Sequence, residues 1–152
     1  MRRSPAGDAF AQSRACFTEV EEWLSGGEAA RLTHAELEEQ LDARGRELLR
    51  RLHQDHLDLR ASREQRRAQV TGADGVTRTR AEAGHQRQLA TVFGQVTVTR
   101  MAYRAAETAN LYPADASLNL PEERHSHGLR KLAAIESARG GVSEIRCEIS
   151  CH

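Results

Sequence analysis

Aromatic residues are scarce in this chain, at 4% of 152 residues, and hydrophobic residues reach only 39%. So little bulky apolar material excludes a sizeable single core at this length. Lys131 is the sole lysine, so nearly all positive charge is guanidinium. Cysteine is limited to Cys16, Cys147 and Cys151, an odd number at spacings that form no disulfide framework. A reducing cytoplasm is the expected setting. Long uncharged apolar runs are missing, which excludes a helical membrane span. The opening Met1-Arg2-Arg3 leads into Pro5, Gly7 and Asp8 with no apolar stretch, so it does not read as a signal peptide.

Charge is abundant, at 29% of residues, and balances to a formal net of +0. Its distribution is uneven. Acids dominate from Glu19 to Asp42, whereas arginines dominate from Arg44 to Arg104. A basic half of this kind suits a polyanionic partner, although ordinary helix solvation also uses arginine.

Hydrophobic periodicity then places the elements. Phe10, Phe17, Val20 and Leu24 recur at helical spacing, flanked by Cys16 and Trp23, and predict a first helix over Asp8 to Ser25. Gly26-Gly27 stops it. Thr33 and Glu36 have the spacing of a capping box and open a second helix. Leu37, Leu41, Leu48, Leu52 and Leu59 carry that helix to about Gln69, as a narrow stripe for packing on the first helix or for pairing with another copy. Thr71 to His85 reads as a polar loop.

Arg87 to Arg104 reads as a β-hairpin, with Gly94-Gln95 as its two-residue connection in a type II′ turn. Leu89, Thr91 and Phe93 share one direction on the first strand, and Val96 and Val98 share a face on the return. Asn110 to Pro121 reads as a connector with two prolines, and a third helix is expected from Glu122 to Gly140-Gly141. The predicted fold is therefore mainly α with a small β-hairpin, an α+β arrangement that is not a complete globular enzyme. It divides into a helical region over 1–70, a loop, hairpin and connector over 71–121, a helix over 122–141, and a tail over 142–152 expected to be non-native or disordered.

No constellation for catalysis stands out. His125 and His127 are two apart, which puts them on different sides of a helix. His53 and His56 share a face, but beside a leucine stripe they read better as packing residues than as ligands. Cys147, Cys151 and His152 offer three ligands where a structural zinc takes four. Cys16 has no base nearby in sequence. Neither a phosphate-binding glycine loop nor a nucleophile elbow is present. No catalytic or metal residue is assigned, and this chain is expected to be catalytically inactive on its own.

Several stretches do occur in a telling order. They include Leu32-Thr33-His34-Ala35-Glu36-Leu37-Glu38, Gly45-Arg46-Glu47-Leu48-Leu49-Arg50-Arg51-Leu52 and Gln54-Asp55-His56-Leu57-Asp58-Leu59-Arg60. Then come Gly72-Ala73-Asp74-Gly75-Val76, the run Leu89 to Val98, Leu111-Tyr112-Pro113-Ala114-Asp115, Leu118-Asn119-Leu120-Pro121 and His125-Ser126-His127-Gly128-Leu129. Together, over roughly Phe17 to Gly140, the chain resembles the N-terminal part of ISKra-type insertion-sequence transposases. The resemblance implies a front part that binds DNA at the element ends or assembles the complex. It also implies that the RNase H-like catalytic domain, with its acidic triad and divalent metal, would follow and is absent here. The resemblance lapses near Gly141, as a frameshift or early stop would produce.

The expectation is thus a truncated transposase that contacts DNA phosphates through Arg60, Arg63, Arg66 and Arg67 at the end of the long helix. Arg87, Arg100 and Arg104 on the hairpin would add to them. Two other readings compete: a homo-oligomeric helical interaction protein joined through Leu37, Leu41, Leu48, Leu52 and Leu59, and a non-functional relic of a mobile element.

Overall fold

The structure is a computed structural model that describes residues 7–149, with side chains described as far as residue 140. Helices hold about 51% of the chain beside two small antiparallel sheets, so the predicted mainly α fold with a small β element is the one observed. In order, the elements are α1 (Ala11–Ser25), α2 (Gly27–Ala30), α3 (His34–Arg63), β1 (Val70–Thr71), β2 (Thr77–Arg78), β3 (Arg80–Thr91), β4 (Gly94–Arg104), α4 (Pro113–Ser117) and α5 (His127–Ile149). No helix among the described residues is long and apolar enough to cross a membrane.

The capping box opens α3 as its sequence requires. The Thr33 side chain accepts from the Glu36 N–H at 3.3 Å, and the Thr33 N–H donates back to Glu36 Oε2 at 2.8 Å. The Thr33 N–H bond, and then the Thr33 hydroxyl donating to the same oxygen at 2.7 Å, hold the Glu36 carboxyl below its ordinary pKa. The other end of α3 comes sooner than the leucine spacing predicts, at Arg63 instead of near Gln69. Glu64 leaves the helix with ψ 121° and reaches sideways, its Oε2 accepting the Met101 N–H at 3.0 Å.

The inward faces of α1 and α3 also differ from the predicted stripes. On α1 the buried positions are Ser13 and Cys16, while Phe17 and Leu24 are exposed. The reason is polar: buried Asp55 on α3 accepts both the Ser13 N–H at 3.0 Å and the Ser13 hydroxyl at 2.6 Å. A buried carboxylate needs such partners, and meeting them fixes how α1 is rotated. On α3 it is Leu57, not the predicted leucines, that is buried. Leu37, Leu48 and Leu59 are half-buried, and Leu41 and Leu52 are exposed.

β3 and β4 pair over most of their length, with Leu89 opposite Val96 and Arg87 opposite Val98. The turn, however, falls two residues before the predicted one. Thr91 pairs with Gly94, so Val92 and Phe93 make the connection and Gly94 begins the return strand at φ +120°. The Thr91 hydroxyl secures this turn, donating to Gly94 O at 2.7 Å and accepting from the Phe93 N–H at 3.2 Å. Alternation still puts Leu89, Val96 and Val98 on one face, and these join Leu57 in a small core flanked by Leu118 and Leu120. Each such side chain contributes about 1.5–3 kcal/mol on burial, so this core is modest.

Three further corrections concern the connections. The segment read as a polar loop holds the β1–β2 hairpin, all but Val70, and the first half of β3. Its tip is closed by Arg78, only 3% exposed, which clasps Asp74 at 2.7 Å and also donates to Val76 O and Ala109 O. The connector over 110–121 contains α4, opened by Pro113 in its first turn. The last helix starts at His127, not at Glu122, because the preceding residues pair with β3. Ala90 donates its N–H to Arg124 O at 2.8 Å and accepts from the Ser126 N–H at 2.9 Å. Ser126 then receives the Leu129 N–H on its hydroxyl, as a helix cap does. The backbone of α5 continues through Gly140-Gly141 to Ile149 instead of stopping there. Within the predicted tail, Cys151 and His152 lie outside the described residues.

Candidate nucleic-acid interface

α3 does more than cover the core; it lies along the open edge of β4. The Gln54 amide brackets Thr97, donating to its C=O at 2.9 Å and accepting its N–H at 2.8 Å. Arg50 donates to Gln95 O at 3.3 Å, and Glu64 accepts from Met101. Further along, Tyr103 and Leu111 exchange two backbone bonds. Residues 95, 97, 99, 101 and 103 share this edge by the two-residue strand period. Of these, Thr99 alone has no such partner among the described residues, and there a cleft of about 440 Å³ enters between the end of α3, β4 and α4.

Arginines surround that cleft. Arg60, Arg63, Arg66 and Arg67 all line it, with Thr99, Tyr103 and Ser117 among the polar groups opposite. Arg60 donates to the Ser117 hydroxyl at 3.2 Å, and the Arg67 N–H donates to the Tyr103 hydroxyl at 2.8 Å. Arg63, Arg66 and Arg67 are exposed and make no ion pair among the described residues. Glu64 is the single carboxylate in the lining, and the β4 backbone already occupies one of its oxygens. Four guanidinium groups around one polar opening form an anion-attracting site, able to bind phosphate oxygens in pairs.

The three hairpin arginines are not brought to this cleft. Arg100 is 8% exposed and sits 2.9 Å from Asp115, with its guanidinium 4.0 Å above the Tyr112 ring. Its Nε–H is poorly aimed at the carboxylate, so the contact is an ion pair without an aligned hydrogen bond. Arg87 lies 3.5 Å from the same Asp115 and donates to the carbonyls of Pro121 and Glu123. Both arginines fasten the α4 segment to the sheet. Arg104 is exposed and paired with Glu82 at 2.7 Å, on a different part of the surface.

Sequence spacing found the four cleft arginines, which follow one another along the chain. It missed Thr99, Tyr103 and Ser117, which come from β4 and α4 and have no local signature. Nor could it detect Asp115, whose pairing withdraws Arg87 and Arg100 from solvent. Among the described residues the histidines converge on no site. His53 packs edge-on against Phe93 at 6.2 Å, and burial, aided by the charge of His56, lowers its pKa. Among the described residues no three His, Cys, Asp or Glu side chains lie together as metal ligands would. Compared with protein-family models, curated proteins and solved structures, the chain matches none.

Proposed function

We propose that this chain is the DNA-contacting and assembly front part of an insertion-sequence transposase of the ISKra type. The cleft at the end of α3 holds the phosphate backbone in this reading. The observation that supports it is the convergence of Arg60, Arg63, Arg66 and Arg67 on one opening, with three of them unpaired by carboxylates among the described residues. Arg87 and Arg100 act as struts here, and Arg104 is at most an outlying contact. The test is titration of a labelled DNA duplex with the full chain at low and moderate salt. Binding that weakens steeply with salt supports the proposal, and affinity indifferent to salt contradicts it.

A second reading is favoured by one feature of α3. Leu41 and Leu52 remain exposed, at 39% and 38%, on the helix expected to pair between copies. In that reading the chain self-associates through the α3 leucines. Sedimentation over a range of concentrations separates the two: a tight dimer without DNA affinity is the outcome specific to the second reading.

A further inference from the structure

The β3–β4 ribbon has a second face, opposite the core. Three cross-strand rungs build it: Gln86 with Thr99, Gln88 with Thr97, and Ala90 with Gln95. None of these six residues is charged or aromatic, and Gln86, Gln88 and Gln95 are exposed. Two of the amides, those of Gln88 and Gln95, are ordered by bonds within the face. Gln88 donates to the Thr97 hydroxyl at 2.9 Å and accepts from Gln95 at 3.2 Å. A concavity of about 650 Å³ runs along the β3 side of this face, with Glu122, Arg124 and His125 on its rim. Thr99 ends the row on β4 and also lines the arginine cleft, so the two surfaces are continuous.

We infer that this amide face reads base edges in the major groove of duplex DNA, while the adjoining arginines hold the backbone. The inference rests on the DNA-binding reading above and assigns residues to specificity within it. A two-stranded β-ribbon fits the major groove, which is about 12 Å wide. Glutamine presents one donor and one acceptor side by side, the complement of adenine N7 and N6. Gln86 and Gln88, two residues apart on one strand, stand about 6.6 Å apart, which spans roughly two base steps of 3.4 Å. The three rungs themselves carry no carboxylate, and the one on the rim of the concavity, Glu122, lies beside Arg87 and Arg124, the latter standing where a flanking backbone would run. Single strands are a poorer match, because they are gripped by stacking on aromatic side chains and this face has none.

The decisive experiment selects bound duplexes from a randomised pool with the full chain, then repeats the selection with Q86A/Q88A and with Q86E. These side chains point away from the core, and circular dichroism checks that the variants fold. The wild-type chain should enrich A·T pairs at fixed positions by about 5- to 150-fold, the range for a bidentate contact. Q86A/Q88A should lose that enrichment while keeping salt-dependent affinity, and Q86E should shift one position toward cytosine, whose N4 amine suits a carboxylate acceptor. Binding without base preference, or a preference unchanged in Q86A/Q88A, overturns the inference and leaves the backbone-binding proposal standing. Absence of salt-dependent binding in the wild-type chain overturns both.

Discussion

Gln54 and Thr97 form a closed two-bond pair, in which one side-chain amide replaces the strand that the edge of β4 lacks. Open strand edges invite pairing with other chains, and covering them is how β proteins avoid it. Here a polar helix face supplies the cover, with Arg50 and Glu64 on either side of Gln54. On the far side of the sheet, residues 124–126 do the same for Ala90. The ribbon is therefore fixed by its borders as much as by its small core.

Gln54→Leu should cost about 2 kcal/mol, since it leaves a half-buried N–H and C=O without partners. Denaturant titration of the two proteins measures it. A loss under 0.5 kcal/mol would mean that water serves the Thr97 edge equally well.

Arg100→Ala should cost about 3 kcal/mol, because it leaves the Asp115 carboxylate with only its longer contact to Arg87 beside the sheet. Its duplex affinity, measured at a temperature where the variant is folded, should match that of the wild-type chain. A selective loss of DNA binding without loss of stability would return Arg100 to the interface.

Asp74 should titrate at about 2, held down chiefly by its hydrogen bonds from Arg78 and then by the Val76 N–H. A depressed carboxylate stabilises the fold above its unfolded pKa of about 3.9 and loses that contribution as pH falls through its folded value. The β1–β2 hairpin should therefore loosen between about pH 4 and pH 2. Carboxyl carbon shifts of Asp74 followed by NMR check this, and titration near the ordinary Asp value would contradict the clasp. In Asp74→Asn that acid-dependent loosening should disappear.

Asp55→Ala should free α1 from α3, since both bonds from Ser13 end on that carboxylate. Amide exchange across residues 11–25 should speed up while the β3–β4 amides keep their protection. Equal acceleration in both would show that the helices and the sheet unfold as one unit.

Local rules carried the reading far where the cause is local. The Thr33–Glu36 cap, the two main helices and the Leu89, Val96 and Val98 face all follow from neighbours in the chain. Misplaced features have non-local causes. The α1 stripe turned because Asp55, over forty residues away, needed Ser13. The last helix started late because Ala90 took residues 124–126 into the sheet. At the site the division is the same: Arg60 to Arg67 are close in sequence and remain close in space, whereas Arg87 and Arg100 depend on Asp115, which no spacing rule connects to them.

The salt dependence of duplex binding, compared between the wild-type chain and the triple variant Arg63→Ala, Arg66→Ala, Arg67→Ala, tests the central claim most directly. The cleft account predicts a linear fall of log affinity with log salt, and a slope about 2.7 smaller in the variant, at about 0.9 per lost phosphate contact. The same slope and affinity in both proteins would contradict it and remove these arginines from any DNA interface.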